Sequence, residues 1–502
     1  MKLNWPERLT FVSKAHPEGA DIQSRAIASY ASKIADMLRS EGVQPGDRIA
    51  LWLTDGADKV AAIWGCWLSG AAFCVLPSFA GNTKSERAQA RIEGVFKVLQ
   101  PKLLLQGEDN PLPSEALGAV PSRTLNGPLQ TDHTIAEPPN PAADDLAFIQ
   151  FTSGSTGGAK GAEVRFGQLE ANLITLENRV GLTGADHMVS WAPLYHDMGL
   201  MAVLLALRTG ARLTLMETDH FVRRPTSWLE TIARQKGTVT TAPPTALKLL
   251  TRRRAPDVDL STLRYAWIGG EAVFPSVVRA FEATYAEAGL AKGVIQPTYG
   301  MAETVVGISC GIPGALWVER QGVISCGPVL QGMKVEIQTE DGTALPDGTE
   351  GKVMTRGPSV IDGYLGLPRF DGDWFETGDR GFIEDDLLFI TGRIKDVLKR
   401  GAESYPATLV ETIAEDALDL RTGRVAAFAH FNGELGKEEI VLLVESRQWD
   451  DTDTRTVATA VLGELGLQVD VIRPAKGGRL PRTSSGKLMR QTAAQQYREG
   501  EL

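Results

Sequence analysis

The pattern of apolar positions predicts an alternation of helices and strands from the start of the chain. Residues 24–43 carry apolar side chains at offsets of three and four, which is the spacing of one helical face; they are Ile27, Tyr30, Ile34, Met37 and Leu38. A strand at Ile49–Leu53, a helix at Asp58–Leu68 and a strand at Ala71–Val75 follow. Strand, helix and strand at this spacing form a βαβ unit, which indicates a parallel sheet.

The alternation pauses between residues 107 and 145, where frequent Pro, Asn, Gly and Asp predict a long surface connection. It then resumes as apolar runs separated by stretches with helical patterning. These candidate strands are Leu146–Phe151, Met188–Trp191, Arg212–Met216, Thr238–Thr241, Arg264–Ile268 and Gly293–Gln296. The longest apolar run, Met198–Leu207, is about half as long as a membrane helix and is interpreted as a buried helix.

From about residue 323 the pattern changes to short β-rich runs between Gly, Asp and Pro turns, which predict a small antiparallel barrel or sheet. The runs are Val335–Gln338, Gly351–Arg356 and Leu387–Thr391. After residue 394, helical and strand patterns mix as in a small α+β domain. We therefore predict an α/β protein whose large N-terminal domain, residues 1–393, layers sheets with helices and ends in a β-barrel-like subdomain, residues 323–393. A small α+β domain, residues 394–502, follows.

Composition narrows the class of protein. With 43% hydrophobic and 23% charged residues, the 502-residue chain has the balance of a soluble globular protein. Its net charge is -10 and it has no basic block, which argues against a nucleic-acid partner. The cysteines are scattered without zinc spacing, so neither a structural metal site nor a disulfide framework is predicted. With no signal peptide or membrane span expected, we predict a cytoplasmic location.

The most specific feature is the small-residue segment Thr152–Gly161, which directly follows a candidate strand. Small residues let backbone N–H groups approach phosphate oxygens, and hydroxyls and one cation add further contacts. The hydroxyls come from Thr152, Ser153, Ser155 and Thr156, the backbone freedom from Gly154, Gly157, Gly158 and Gly161, and the charge from Lys160. The segment matches neither the Walker A nor the GxGxxG pattern. Read alone, it predicts a phosphate loop or a flexible surface loop.

Other motifs follow this segment in a fixed order. They are Trp191–Gly199, Gly269–Glu271, Tyr299–Thr304, Thr377–Asp379, Gly392–Asp396 and Leu480–Lys487. With the phosphate loop, they make the chain resemble the adenylate-forming superfamily of acyl-CoA synthetases, fatty acyl-AMP ligases, peptide-synthetase adenylation domains and luciferases. The resemblance runs from about residue 20 to residue 495. It implies ATP-dependent activation of a carboxylic acid as its acyl-adenylate, with pyrophosphate as the leaving group.

The resemblance also implies roles for individual residues, because two anions must meet and negative charge then grows on the phosphoryl oxygens. Glu303 would hold Mg²⁺, Thr304 would donate to the α-phosphate, and Lys487 would bridge the acyl carboxylate and that phosphate. Asp379 would accept the ribose hydroxyls, with Arg393 contacting the ribose or phosphate. The adenine would lie between Tyr299, with the adjacent Gly300 and Met301, and the segment formed by Gly269, Gly270 and Glu271.

Two further residues are assigned by the resemblance. Lys395 stands where relatives have a hinge, about which the small mobile C-terminal domain rotates between the two half-reactions. His196 borders the acyl pocket in relatives and is a catalytic candidate. Ordinary structural roles compete at each position: a turn residue for Asp379, a solvated helix-start acid for Glu303, an exposed loop residue for Lys487. A core histidine for His196 and a solvated charge for Lys395 complete these alternatives.

Two segments and one spacing bear on which branch of the family the chain resembles. The Trp191–Gly199 and Tyr299–Thr304 segments look most like fatty acyl-AMP ligases, which load an acyl-carrier protein through its phosphopantetheine. Those enzymes usually carry an insertion that obstructs CoA use, yet only 22 residues separate Glu303 from Cys326 here. We therefore expect an acyl thioester as product, with CoA slightly favoured as acceptor and a carrier protein as the alternative. The residues around Met198 suggest an apolar acyl chain.

Other function classes are weighed against this prediction. An aminoacyl-tRNA synthetase also forms adenylates, but the acidic composition argues against tRNA binding. Peptide-synthetase adenylation is disfavoured because the segment around Asp197 fits the acyl-chain branch. A non-catalytic ATP-binding module is disfavoured by the presence of Lys487. A luciferase-like oxygenase uses the same adenylate and stays open.

Overall fold

The computed structural model describes most of the chain, in two compact units. The described residues are 4–77, 86–109, 111–113, 118–127, 133–137, 139–152, 160–400, 403–432, 437–446, 448–483 and 486–502. The first unit comprises Met1–Glu336, Met354–Phe375 and Glu384–Phe389, and the second comprises Ile337–Val353, Glu376–Ile383 and Ile390–Leu502. The domain boundary at residue 393 stays a prediction.

Strands and helices alternate through the first 310 residues. In chain order the strands are β1 (Arg8–Val12), β2 (Ala20–Gln23), β3 (Arg48–Trp52), β4 (Ala72–Val75), β5 (Leu103–Gly107), β6 (Ser122–Leu125), β7 (Leu146–Thr152), β8 (Lys160–Arg165), β9 (His187–Ser190), β10 (Arg212–Met216), β11 (Val239–Ala242), β12 (Tyr265–Ile268), β13 (Ile295–Tyr299) and β14 (Ser309–Cys310). The helices are α1 (Ser24–Ser40), α2 (Ala57–Ser69), α3 (Glu86–Leu99), α4 (Phe166–Val180), α5 (Asp197–Thr209), α6 (Thr218–Arg223), α7 (Ser227–Gln235), α8 (Pro244–Arg252) and α9 (Pro275–Tyr285).

Two mostly parallel sheets form the first unit. The eight-stranded sheet has the order β14-β13-β12-β11-β9-β10-β1-β2, and the six-stranded sheet has the order β6-β5-β3-β4-β7-β8. The predicted βαβ unit is confirmed, since β3 and β4 pair in parallel with Arg48 opposite Ala72. Strands such as β12 are buried along their whole length, as expected for parallel sheets covered on both faces. The α/β fold class is therefore confirmed.

The long surface connection predicted for residues 107–145 is wrong at one point, because it contains β6. This strand pairs in parallel with β5, with Ser122 opposite Leu104. The apolar pattern does not predict this strand, since Leu125 is its only apolar residue and its only buried one. By contrast, the buried helix predicted over Met198–Leu207 is confirmed as α5, whose residues from Gly199 to Leu207 are all buried.

The β-rich region follows the parallel sheets. Its strands are β15 (Glu319–Arg320), β16 (Val323–Pro328), β17 (Lys334–Gln338), β18 (Gly351–Arg356), β19 (Phe375–Glu384) and β20 (Leu387–Arg393). In the first unit β16 pairs antiparallel with β20, with Ser325 opposite Phe389. In the second unit the Thr377 hydroxyl donates to the Val353 carbonyl oxygen at 2.8 Å.

The C-terminal part of the second unit has the predicted α+β composition. Its elements are β21 (Val397–Arg400), β22 (Glu403–Pro406), α10 (Ala407–Ala417), β23 (Val425–Asn432), β24 (Lys437–Glu445), α11 (Asp451–Leu465), β25 (Val471–Ala475) and α12 (Arg490–Arg498). Strand residues alternate between two cores: Ala427 and Leu442 pack with α10 and α11, whereas Phe428 and Leu443 pack with Ala493 of α12. Across the described ranges, no helix combines the length and apolar character needed to cross a bilayer.

Candidate active site

Several predicted site residues lie just after parallel strands of the eight-stranded sheet. Gly269–Glu271 follow β12, and Tyr299 ends β13, which is the neighbouring strand. A Cβ atom on Gly269 would lie 2.7 Å from the Thr298 Cγ2 atom, so these two segments are in close contact. Because ligands of parallel α/β sheets bind outside the carboxyl ends of the strands, this edge is where a nucleotide site is expected.

The segment after β13 makes a tight, strained turn. A Cβ atom on Gly300 would lie 1.7 Å from the Val306 carbonyl oxygen, so only glycine fits there. Ala302–Thr304 form a 3-10 turn, and Val305 follows with φ +66° and ψ -60°. The Val306 N–H donates to the Thr304 carbonyl oxygen at 2.8 Å, which completes a γ-turn. A buried β-branched residue in this conformation stores strain, and such strain is typical of functional sites.

The turn presents Glu303, whose carboxylate is buried and held by a tyrosine. The Tyr364 hydroxyl donates to the Glu303 Oε1 atom at 2.7 Å, and Glu303 is only 8% exposed. The Lys160 Nζ atom lies over the ring of the same tyrosine, 5.2 Å from its centroid. Tyr364 therefore links the predicted metal carboxylate to the predicted phosphate-loop cation, which is a contact that the sequence did not reveal.

Backbone pairing fixes Tyr364 in this position. Its segment runs beside β8, where Tyr364 forms an antiparallel bridge with Ala162 and the Leu365 N–H donates to the Gly161 carbonyl oxygen at 2.7 Å. The Ile361 N–H donates to the Glu303 carbonyl oxygen at 2.9 Å. The segment at 361–365 thus holds both the glutamate turn and the strand that starts at Lys160.

The phosphate loop is described only at its two ends. Thr152 closes β7 and pairs with Lys160, the first residue of β8, in an antiparallel ladder. The predicted strand before the loop is therefore confirmed, and the loop joins two neighbouring strands. Other predicted phosphate contacts lie outside the described residues; they are Ser153, Gly154, Ser155, Thr156, Gly157 and Gly158.

Thr304 is fully buried, and its hydroxyl bonds within its own turn. The hydroxyl donates to the Met301 carbonyl oxygen at 3.0 Å and accepts from the Met301 N–H at 3.4 Å. Its role as a donor to the α-phosphate stays a prediction, and it would require rotation of this hydroxyl. Tyr299 and Met301 are half-buried beside it.

His196 lies at the start of α5. Its Nδ1 atom is 3.6 Å from Oδ1 of Asp197, and its side chain is 33% exposed. The preceding Tyr195 carbonyl oxygen accepts a hydrogen bond from the Gln150 side chain of β7. A Cβ atom on Gly199 would lie 2.3 Å from the Pro193 carbonyl oxygen, so this loop and the first turn of α5 pack backbone to backbone. His196 is accessible enough for a role in the site, which stays a prediction.

In the second unit, Asp379 and Arg393 lie together. Asp379 is 5% exposed on β19, and its Oδ1 atom is 3.0 Å from the Arg393 Nε atom at the end of β20. The Asp379 N–H donates to the Thr377 hydroxyl at 3.2 Å. The carboxylate is thus buried, whereas the arginine side chain beside it is largely exposed. This arrangement fits the predicted pair of nucleotide-binding residues.

Lys487 lies in a tight hairpin of the second unit. The Thr483 N–H donates to the Lys487 carbonyl oxygen at 2.7 Å, and the Lys487 N–H donates to the Thr483 hydroxyl at 3.0 Å. The Met489 N–H donates to the Pro481 carbonyl oxygen at 2.9 Å, which closes the base of the hairpin. These hydrogen bonds fix the Lys487 backbone within the described part of the hairpin, and Ser484 and Ser485 lie outside the described residues.

A magnesium ion suits the chemistry around Glu303. Within the described ranges, no three His, Cys, Asp or Glu side chains come together as a metal-binding group. Mg²⁺ is commonly held by one or two carboxylates together with substrate phosphates. One buried carboxylate with a fixed orientation, close to a phosphate-loop lysine, fits that mode of binding, whereas it would not fit a site built from protein ligands alone.

A family model and the named relatives of this chain point to the same family. The AMP-binding enzyme model matches residues 4–365. A Caulobacter vibrioides protein named as an acyl-CoA synthetase is 31% identical, over 93% of this chain and 88% of its own length. A long-chain-fatty-acid–AMP ligase of Mycolicibacterium smegmatis is 27% identical, over 96% of this chain and 88% of its own. That alignment has 577 positions, more than the 502 residues here, so the ligase carries segments that this chain lacks.

The fold comparison agrees with the sequence comparison. A solved structure from work on fatty acyl-adenylate ligases of E. coli and L. pneumophila superposes with a TM-score of 0.87 at 26% identity. The superposition covers 99% of this chain and 96% of the other chain. The relatives thus match the large α/β body and the small C-terminal part alike.

Proposed function

The chain belongs to the AMP-binding enzyme family and is an adenylate-forming enzyme, and on this premise we propose that it converts a fatty or other apolar carboxylic acid into an acyl thioester. One acid oxygen attacks the α-phosphorus of ATP, the bond to the β-phosphate oxygen breaks, and pyrophosphate leaves. A thiol then attacks the acyl carbon of the adenylate, and AMP leaves. We favour CoA as the thiol, with a carrier-protein phosphopantetheine as the second candidate.

The observation that carries this proposal is the contact chain of Lys160, Tyr364 and Glu303. A buried carboxylate with one oxygen fixed by a tyrosine hydroxyl is oriented to hold a cation. A lysine beside it adds positive charge where phosphates would enter. Mg²⁺, when bound to Glu303, would neutralise charge on the triphosphate.

The other residues have complementary roles in the proposed reaction. Lys487 would provide a point charge to the acyl carboxylate and the α-phosphate as the pentavalent transition state forms. Asp379 would accept the ribose hydroxyls while Arg393 stays within reach of its carboxylate. The strained turn at Val305 would keep Glu303 and Thr304 in one orientation, which lowers the reorganisation needed during reaction.

The preference for CoA over a carrier protein rests on the insertion that this chain is expected to lack. Only 22 residues separate Glu303 from Cys326, and the alignment with the mycobacterial AMP ligase is longer than this chain. The short spacing between Glu303 and Cys326 favours an enzyme without the insertion that obstructs CoA. The carrier-protein alternative is supported by the AMP-ligase names among relatives and by the segment from Trp191 to Gly199.

Pyrophosphate release over a panel of acids tests the proposal. The panel should run from acetate to long-chain fatty acids and include aromatic and amino acids, each with CoA, with a phosphopantetheinylated carrier protein, or with no thiol. We expect release with apolar acids and faster turnover with CoA. Turnover that rises only with the carrier protein would establish the second candidate. Release with no acid at all would contradict the proposal.

A further inference from the structure

Two buried glutamates anchor the base of the Lys487 hairpin, one on each side. Before the hairpin, Arg482 bonds to the Glu445 carboxylate at 3.1 Å and also to the Gly423 carbonyl oxygen. After it, Arg490 bonds to Glu411. The Glu445 and Glu411 side chains are 0% and 8% exposed. Because each arginine bonds to the body of the second unit, both ends of the hairpin are attached to that body.

Arg490 bonds not only to Glu411 but also to Asp396. Its Nε and Nη2 atoms bond to the two oxygens of Glu411 at 2.7 and 2.6 Å, and its Nη1 atom bonds to Asp396 at 2.8 Å. Glu411 in turn accepts from the Ala427 N–H of β23 at 2.9 Å. Burial alone would lower the pKa of Arg490, but the two carboxylates outweigh it and raise that pKa, so the guanidinium stays charged.

Asp396 is the residue directly after the proposed hinge at Lys395. The hinge residue itself touches the same helix, since the Gln491 side chain donates to the Lys395 carbonyl oxygen at 3.2 Å. A planar guanidinium held by three hydrogen bonds has little freedom to reorient. Arg490 therefore forms a rigid side-chain link between the chain just after the hinge and the end of the hairpin.

We propose that Arg490 is a positioning residue that couples the chain after the hinge to the Lys487 hairpin, so that movement at the hinge carries Lys487 with it. The proposal rests on the roles proposed above for Lys487 and Lys395. Without the Asp396–Arg490 bond, the hinge and β21 could move without a matching movement of the hairpin. Lys487 would then spend less time against the α-phosphate. Arg490 touches no reacting atom in this account.

A double-mutant cycle tests the coupling. Asp396→Ala removes the hinge-side bond but leaves Arg490 paired with Glu411, so no buried charge is left alone. We expect the adenylation kcat to fall by about tenfold, with the KM values for ATP and acid within about twofold. In a Lys487→Ala background, single-turnover adenylation should fall by less than about twofold more, because the lost positioning acts through Lys487.

Two further variants keep the test decisive. Arg424→Met breaks another ion pair of the same unit, with Glu445 still bound to Arg482, and should leave adenylation within about twofold of wild type. Arg490→Lys keeps a charge between the carboxylates but not three bonds, and it replaces Asp396→Ala if that variant fails to fold. Equal losses with and without Lys487, or wild-type rates in the folded variants, would overturn the proposal. Full activity of Lys487→Ala alone would instead refute the role of Lys487.

Discussion

Glu303 is restrained at both its side chain and its backbone. Tyr364 holds the carboxylate through its hydroxyl, and Ile361 donates to the Glu303 carbonyl oxygen. The next two residues turn back sharply at Val305, where φ is +66°. A hydrogen bond to a charged group contributes about 1.5–3 kcal/mol, so the tyrosine should have a measurable effect on how well the carboxylate binds its cation.

Removing the Tyr364 hydroxyl should therefore weaken use of the metal. In Tyr364→Phe the ring stays beneath Lys160 but Glu303 loses its donor, and we expect about tenfold more Mg²⁺ to be needed for half-maximal adenylation. Calorimetric titration of ATP at several Mg²⁺ concentrations should show a parallel loss. The matched variant Tyr364→Leu, which also removes the ring, should be worse. An unchanged Mg²⁺ dependence in Tyr364→Phe would contradict the role.

Lys487 is proposed to act in adenylation and not in thioester formation. We expect Lys487→Ala to lose nearly all adenylation, because the point charge on the α-phosphate is gone, while thioester formation from supplied acyl-adenylate stays near the wild-type rate. Stopped-flow or quench measurements of each half-reaction on the same preparation check this. Similar losses in both half-reactions would argue for a structural effect instead.

Candidate site residues could be proposed from the sequence only where they stand in a motif. Glu303, Asp379 and Lys487 stand in recognisable segments, whereas Tyr364 lies 61 positions after Glu303 and acts by a hydroxyl in an irregular segment. Arg490 is similar, since its partners Asp396 and Glu411 lie 94 and 79 positions before it in the chain. Long-range polar contacts leave no periodic trace in a sequence.

Elements were predictable where burial dictates a pattern. Most strands of the parallel sheets were predicted because both faces are apolar, and α5 because nine consecutive residues are buried. Strands β1 and β5, which also pair in parallel, were not predicted. Strand β8 escaped because it starts with Lys160 and Gly161, which were interpreted as the end of a loop. Edge strand β6 escaped because a single apolar residue cannot show alternation. Weakly buried edges and strand starts near ligand loops are among the elements that the pattern missed, and the fully buried β5 is another.

The 3-10 turn at Ile394–Asp396 is the element whose proposed role is movement. Lys395→Pro should restrict φ at the hinge and slow thioester formation by at least about tenfold, while adenylation falls less than about threefold. The rates of both half-reactions check the prediction, with Lys399→Pro on β21 as a control for general damage to the unit. Transfer rates equal to those of the wild type would remove the hinge assignment.

For the whole molecule, the two halves of the predicted site belong to different units. Lys160 and Glu303 lie in the first unit, and Asp379, Arg393 and Lys487 lie in the second. Because the net charge is -10, an anionic substrate such as ATP must be bound by a local site rather than by overall attraction.

The central claim is the adenylation of a carboxylic acid, and acid-dependent exchange of labelled pyrophosphate into ATP measures that step without any thiol. We predict that wild-type protein with Mg²⁺ catalyses this exchange for a set of apolar acids, and that Lys487→Ala does not. No exchange with any acid of the panel, from protein that binds ATP, would contradict the account, as would acid activation that releases ADP and phosphate.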